Sequence, residues 1–157
     1  MSVLGRGSVF VAAFAAVLGV GLMAEAQQRP PADIIAARQQ AMKTLGAEMK
    51  GIGDAAKAGS ITKEDASARA SKINEIANQM VSWFPAGTGP ESGVKTAALP
   101  AIWEKPADYK AAIDRFAGES AKLVAAANTG NAATIAAAQG EVGKSCGGCH
   151  QIARQRN

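Results

Sequence analysis

The sequence predicts an all-α protein: an antiparallel up-down-up-down four-helix bundle with a long loop between its second and third helices. Three observations lead there. The chain is rich in alanine, and aromatic residues make up only 4% of it, a balance that favours helix. No stretch alternates apolar and polar residues with a period of two, so no strand is expected. Four segments instead space their apolar residues by steps of three and four, the pattern of a helix face packed in a bundle.

The first 26 residues read as a segment apart. Arg6 supplies a positive start, Val9 to Met23 is apolar or glycine, and Ala24-Glu25-Ala26 matches a small-x-small cleavage site. The apolar run is about 15 residues, short of the roughly 20 that a spanning helix needs. Residues 1–26 are therefore expected to be a cleaved signal peptide and residues 27–157 a single domain, exported to the periplasm without stable membrane insertion. Loss of Arg6 and Glu25 leaves the net charge at +4. That charge is spread along the chain rather than gathered in a run, and gives no support to nucleic-acid binding.

The first helix is expected to open after Pro30–Pro31, with Asp33 in its first turn, and to end near Ile52, where Gly51 and Gly53 stand. Its stripe is Ile35, Arg38, Met42, Leu45, Met49 and Ile52. The second begins with Thr62 as N-cap and carries Ile73, Ile76, Met80 and Trp83. The third follows Pro106, suited to a first-turn position, and carries Tyr109, Ile113, Phe116, Ser120 and Leu123. The fourth starts near Asn131 and carries Ile135, Ala138, Val142, Cys146, Cys149 and Ala153. "FPAGTGPESGVKTAALPAIWEK" separates the second from the third; loops of that length in a compact domain are often functional. The other connections are short, which makes neighbouring helices antiparallel.

All the cysteine and histidine of the chain lies in "CGGCH": Cys146, Cys149 and His150. A disulfide between the two cysteines would close a tiny loop and restrain little of the unfolded chain. C-x-x-C-H is the pattern for covalent haem attachment. On a helix the two thiols stand one turn apart on one face, where each can add to a vinyl group of the same porphyrin. His150, four residues after Cys146, then lies beneath the iron. A zinc site asks for about four ligands, and a redox dithiol belongs beside a βαβ unit. Zinc would here need a carboxylate or an open position, and no strands are expected beside the dithiol. One haem c is the expected cofactor.

Only "QIARQRN" follows His150, so a strong protein ligand on the other side of the iron is expected from upstream, where Met42, Met49 and Met80 outlast signal removal. Arg38 sits inside an apolar stripe one turn before Met42, and a charge on a packed face is costly unless paired. A haem propionate is one partner, to which a guanidinium can fork; snorkelling to the bundle end is the other explanation. Met42 then lies near the iron, as a ligand or as a neighbour, while Met49 and Met80 read as core filling.

With these residues in view, the chain resembles the class II c-type cytochromes, cytochrome c′ and cytochrome c-556. "IIAARQQAMKTLGAEMKGI" is similar to that family's first helix, and the resemblance implies Arg38 and Gln39 at the propionates and Met42 at the distal position. "FPAGTGPESG" with "TAALPAIW" is similar to the loop that crosses the haem edge, which implies a propionate contact for Thr96, although a loop threonine is more often simply solvated. "VGKSCGGCHQIAR" resembles the attachment helix and implies a proximal role for Arg154. Where relatives often carry an aromatic just before that arginine, this chain has Ala153, and Phe116 is a candidate to fill the space. The resemblance also implies pairing into a homodimer through the first two helices.

Two functions follow from the resemblance. In the c-556 manner, His150 and Met42 hold the iron and the protein carries electrons between periplasmic redox proteins. In the c′ manner, the iron is five-coordinate and binds small diatomic gases such as nitric oxide. An enzyme is not expected, since peroxidase-like chemistry wants a second histidine. Gly147 and Gly148, inside the motif, each weaken helix by up to about 1 kcal/mol. The haem-free protein should therefore show less helix by circular dichroism than the haem-bound protein; equal helicity would remove the argument that attachment holds that turn.

Overall fold

The structure is a computed structural model that describes residues 29–155. The expected signal peptide, residues 1–26, lies outside the described residues. Helix α1 spans Pro31–Lys57, α2 Lys63–Gln79, α3 Ala101–Glu104, α4 Pro106–Thr129 and α5 Ala132–Ala153. Single 3-10 turns stand at Met80–Ser82 and Pro90–Ser92. Four long helices build the bundle as expected, and the fifth, α3, is one short turn inside the long loop.

The helix ends follow local chemistry. Pro31 and Pro106 stand in the first turns of α1 and α4, where their missing N–H costs nothing. Thr62 Oγ1 accepts from the Asp65 amide at 3.2 Å, and Asn131 Oδ1 from the Thr134 amide at 2.9 Å, each satisfying a donor that the helix leaves free. Gly130, at φ 68°, ends α4 in the left-handed conformation that glycine adopts without strain.

One boundary differs from expectation. α1 runs past Gly51 and Gly53 to Lys57. Gly51 is a packing glycine: a Cβ there would collide with the Arg69 guanidinium, which crosses from α2. Arg69 Nη1 donates to Glu48 at 3.0 Å and Nε to Asp65 at 2.9 Å, so the missing side chain makes room for an inter-helix ion pair.

α1 packs on α2 and α5, and α4 packs on the same two helices, closing a ring. The connections at 58–62 and 130–131 are too short for anything but reversal of direction. The start of α1, the end of α2, the start of α4 and the end of α5 thus share one end of the bundle. The predicted stripes supply the core: Ile52, Ile73, Leu123, Ile135 and Val142 are fully buried. Ser120, in the α4 stripe, is buried too, with its hydroxyl bonded to Ala117 O at 2.8 Å and Asn74 Oδ1 at 2.9 Å.

The long connection covers the shared end. Trp103 Nε1 donates to the Phe84 carbonyl at 3.0 Å. The Leu99 amide donates to Ala153 O at 3.0 Å and the Gln155 amide to Ala97 O at 2.8 Å, so the loop pairs with the end of α5 across an isolated Ala98–Arg154 bridge. No helix among the described residues is long and apolar enough to cross a membrane. Leu123→Ala should lower unfolding free energy by about 2–5 kcal/mol in urea titrations. Lys110→Ala, which removes an exposed pair with Asp114, should cost under about 1 kcal/mol.

Candidate functional site

A cavity of about 610 Å³ opens at the covered end of the bundle, within the size range of cofactor sites. α1 forms one wall with Arg38, Met42, Leu45 and Met49. α5 contributes Gly143, Cys146, Cys149 and His150, and Arg154 follows at its end. Met80, Phe84 and Tyr109 close the interior side, and Thr96 to Ala98 the loop side. All eight residues expected at the site, Arg38, Gln39, Met42, Thr96, Cys146, Cys149, His150 and Arg154, line this one cavity.

Helix geometry explains the α5 wall. Cys146 and Cys149 are half-buried free thiols one turn apart. Burial pushes both thiols above their ordinary pKa, so they stay protonated at neutral pH. The His150 imidazole is held below its usual pKa by partial desolvation and by the positive charge of Arg154. It is therefore neutral near pH 7, the form in which a ring nitrogen can bind a metal. Among the described residues no group of three or more His, Cys, Asp or Glu side chains is placed to hold a metal ion.

Arg38 is the polar centre of the opposite wall. It is 4% exposed, yet no carboxylate among the described residues pairs with it. Its Nη1 donates to Thr88 Oγ1 at 3.1 Å, and Nη2 donates to Thr88 O at 2.7 Å and Thr96 Oγ1 at 2.8 Å. The guanidinium carbon lies 4.6 Å from the centre of the Phe84 ring. Desolvation pulls its pKa down, against the opposing pull of Tyr109 and Glu91. The structure thus favours the burial explanation of Arg38 over snorkelling: the head group is inside, facing the cavity.

Thr96 is half-buried rather than solvated. Its oxygen accepts from Arg38 and from the Ala98 amide at 3.2 Å, which leaves its own O–H to donate. Gln39 is exposed at the rim and donates to Lys95 O at 3.1 Å. Met49 and Met80 belong to the core as expected, and also form cavity wall. Phe116 lies in the core and does not line the cavity; Phe84 and Tyr109 are the aromatics that do.

Sequence reasoning missed Thr88, Phe84 and the polar side of Tyr109. Thr88 is 1% exposed and holds Arg38 through two atoms, but it sits in an aperiodic loop, where no pattern marks a buried threonine. Tyr109 had a signal: it is the only tyrosine of the chain and stands in an apolar stripe, where a phenol needs a partner.

The residues present fit a haem. The cavity is walled mostly by apolar side chains, carries two thiols and a neutral imidazole on one helix, and holds Arg38, Lys43 and Arg154 with no carboxylate. Gly46 and Gly143 line it, and a Cβ at either would meet nothing within 4 Å, which leaves room beside both helices.

The comparisons agree. The cytochrome c′ of Rubrivivax gelatinosus is 46% identical over 70 residues, 45% of this chain and 54% of that one, so the match spans about half of the relative. Cytochrome c-556 of Agrobacterium tumefaciens (strain B2A) is 36% identical over 118 residues, covering 74% of this chain and 93% of that one. The solved cytochrome c′ of Rubrivivax gelatinosus superposes with a TM-score of 0.74 at 32% identity, covering 81% of this chain and 98% of that one. Residues 33–153 match the sequence model of the family described as Cytochrome C′, and the chain belongs to that family.

Proposed function

We propose that this chain is an exported c-type cytochrome that carries single electrons between periplasmic redox proteins. One observation supports this above the rest. Cys146, Cys149 and His150 line a cavity whose facing helix brings Met42 and a buried, uncompensated Arg38 to the same space. Residues 1–26 act as the signal peptide and residues 27–157 as the haem-binding domain. The haem c supplies an iron that alternates between ferric and ferrous states.

The chain's own residues do the rest. Cys146 and Cys149 anchor the group through thioether links, and His150 binds the metal through its neutral imidazole. Met42 offers a thioether from α1, a neutral ligand of the kind that raises haem potentials. Arg38 holds a propionate with the guanidinium N–H groups that Thr88 and Thr96 leave free. Thr96 adds its O–H, and Gln39 and Arg154 guard the rim. Most of the cavity wall is apolar, which suits the faces of a porphyrin. The alanines Ala36, Ala37 and Ala47 are exposed on α1 and leave that face open for close approach of a second copy.

Gas binding in the cytochrome c′ manner is the second reading, and Gly46 favours it. Gly46 lies one turn beyond Met42 on the cavity wall, with open space where a side chain would stand. That space could receive a small diatomic ligand such as nitric oxide if Met42 stays off the metal.

Two measurements test the proposal. Met42→Ala should abolish the weak long-wavelength band of methionine–iron bonding in the ferric spectrum and turn the iron high-spin. A wild-type spectrum already high-spin, and unchanged by the substitution, puts gas binding first. Separately, the red chromophore should stay with the polypeptide in denaturing detergent for the wild type and for either single variant, Cys146→Ala or Cys149→Ala, and separate from it in the double variant.

A further inference from the structure

Tyr109 Oη is the one buried side-chain nitrogen or oxygen among the described residues that has no hydrogen-bond partner. Native structures rarely leave a buried hydroxyl unpaired, and Tyr109 is also a wall residue of the cavity that Arg38 lines, so the missing acceptor is sought in the group that fills it. We infer that the Tyr109 hydroxyl donates a hydrogen bond to a haem propionate, as a neutral donor beside Arg38. The inference rests on the haem reading of the site and extends it to a residue that reading leaves unused.

The geometry ties Tyr109 to the anion-holding corner. Its ring meets Phe84 edge-on, with centroids 5.3 Å apart and planes at 72°. Phe84 meets Trp103 edge-on as well, and the Arg38 guanidinium lies 4.6 Å from its ring centre. One aromatic side chain thus fixes both the phenol and the cation. Arg38 uses three of its five donor N–H groups on Thr88 and Thr96, and no carboxylate among the described residues pairs with it. A carboxylate drawn to Arg38 has about four lone-pair sites, enough for Arg38, the Thr96 hydroxyl and the Tyr109 hydroxyl together. The competing acceptor is the sulfur of Cys149, which also lines the cavity, but a thioether is a weak acceptor. A phenylalanine would pack against Phe84 equally well, so the hydroxyl contributes only if it is bonded.

A donor on the propionate disperses negative charge near the iron. That charge favours the ferric state, so the Tyr109 bond raises the reduction potential. Tyr109→Phe keeps the ring and removes the donor. The test compares wild type and variant as holoproteins, after wild type has been shown to retain its chromophore on denaturation. Redox-difference infrared spectra should show the propionate carboxylate stretch displaced in the variant, and potentiometry should show a lower midpoint, at unchanged helicity and thermal midpoint. A carboxylate band identical in the two proteins would overturn the inference, whether or not the potential moves, because a packing role alone can shift a potential. A wild type that never carries covalent haem is seen at the first step, and overturns the function itself.

Discussion

A buried guanidinium that no carboxylate pairs with among the described residues governs this end of the molecule. Bringing an ion out of water costs several kcal/mol even after the protein relaxes. Arg38 meets that cost with three hydrogen bonds to Thr88 and Thr96, each worth about 1.5–3 kcal/mol for a charged donor, and with the face of Phe84, worth about 0.5–2 kcal/mol. These terms are enough to keep the side chain inside. They do not neutralise it, because every partner is neutral. The site therefore keeps a standing preference for an anion, and the same bonds fasten residues 88–96 to α1.

Topology decides where that preference is felt. With α1 and α4 starting, and α2 and α5 ending, at one end of the ring, the arginine helix faces the last turn of the cysteine helix there. The only long connection, residues 80–105, is at that end as well, and covers it. Backbone bonds from Leu99 and Gln155 then lock the loop to the residues just after His150. Position of the loop and position of the histidine are one structural fact. By contrast, the exposed i,i+3 and i,i+4 pairs along the helices decorate the surface and contribute little.

Periodicity explains what could be read from the sequence. The stripes of α1, α4 and α5 named most of the core, and one of them exposed Arg38 as a charge out of place. The motif at Cys146 to His150 is local, so it was legible without any tertiary knowledge. What failed to show was non-local. Gly51 looked like a helix stop because its partner, Arg69, stands on another helix. The turn of helix at Ala101–Glu104 hid in a segment punctuated by Pro100 and Pro106. Thr88 became a site residue through a bond spanning fifty positions of sequence, and such pairings leave no trace in composition or spacing.

The two functional readings differ by less than the fold suggests. Helical side chains lean toward the N-terminus, so Met42 leans toward Arg38, and the patch beside it would be covered by the residue one turn on. That residue is Gly46, which covers nothing. Met42 packs against the core while no side chain stands at Gly46, and its three rotatable bonds leave it adaptable. Fixing a methionine side chain costs about 1.5–2 kcal/mol of rotamer freedom. A thioether–iron bond stronger than that draws Met42 onto the metal; a weaker one leaves it folded back and the space over Gly46 free. One backbone is compatible with both outcomes, and the balance between them lies in a single side chain and the missing one beside it.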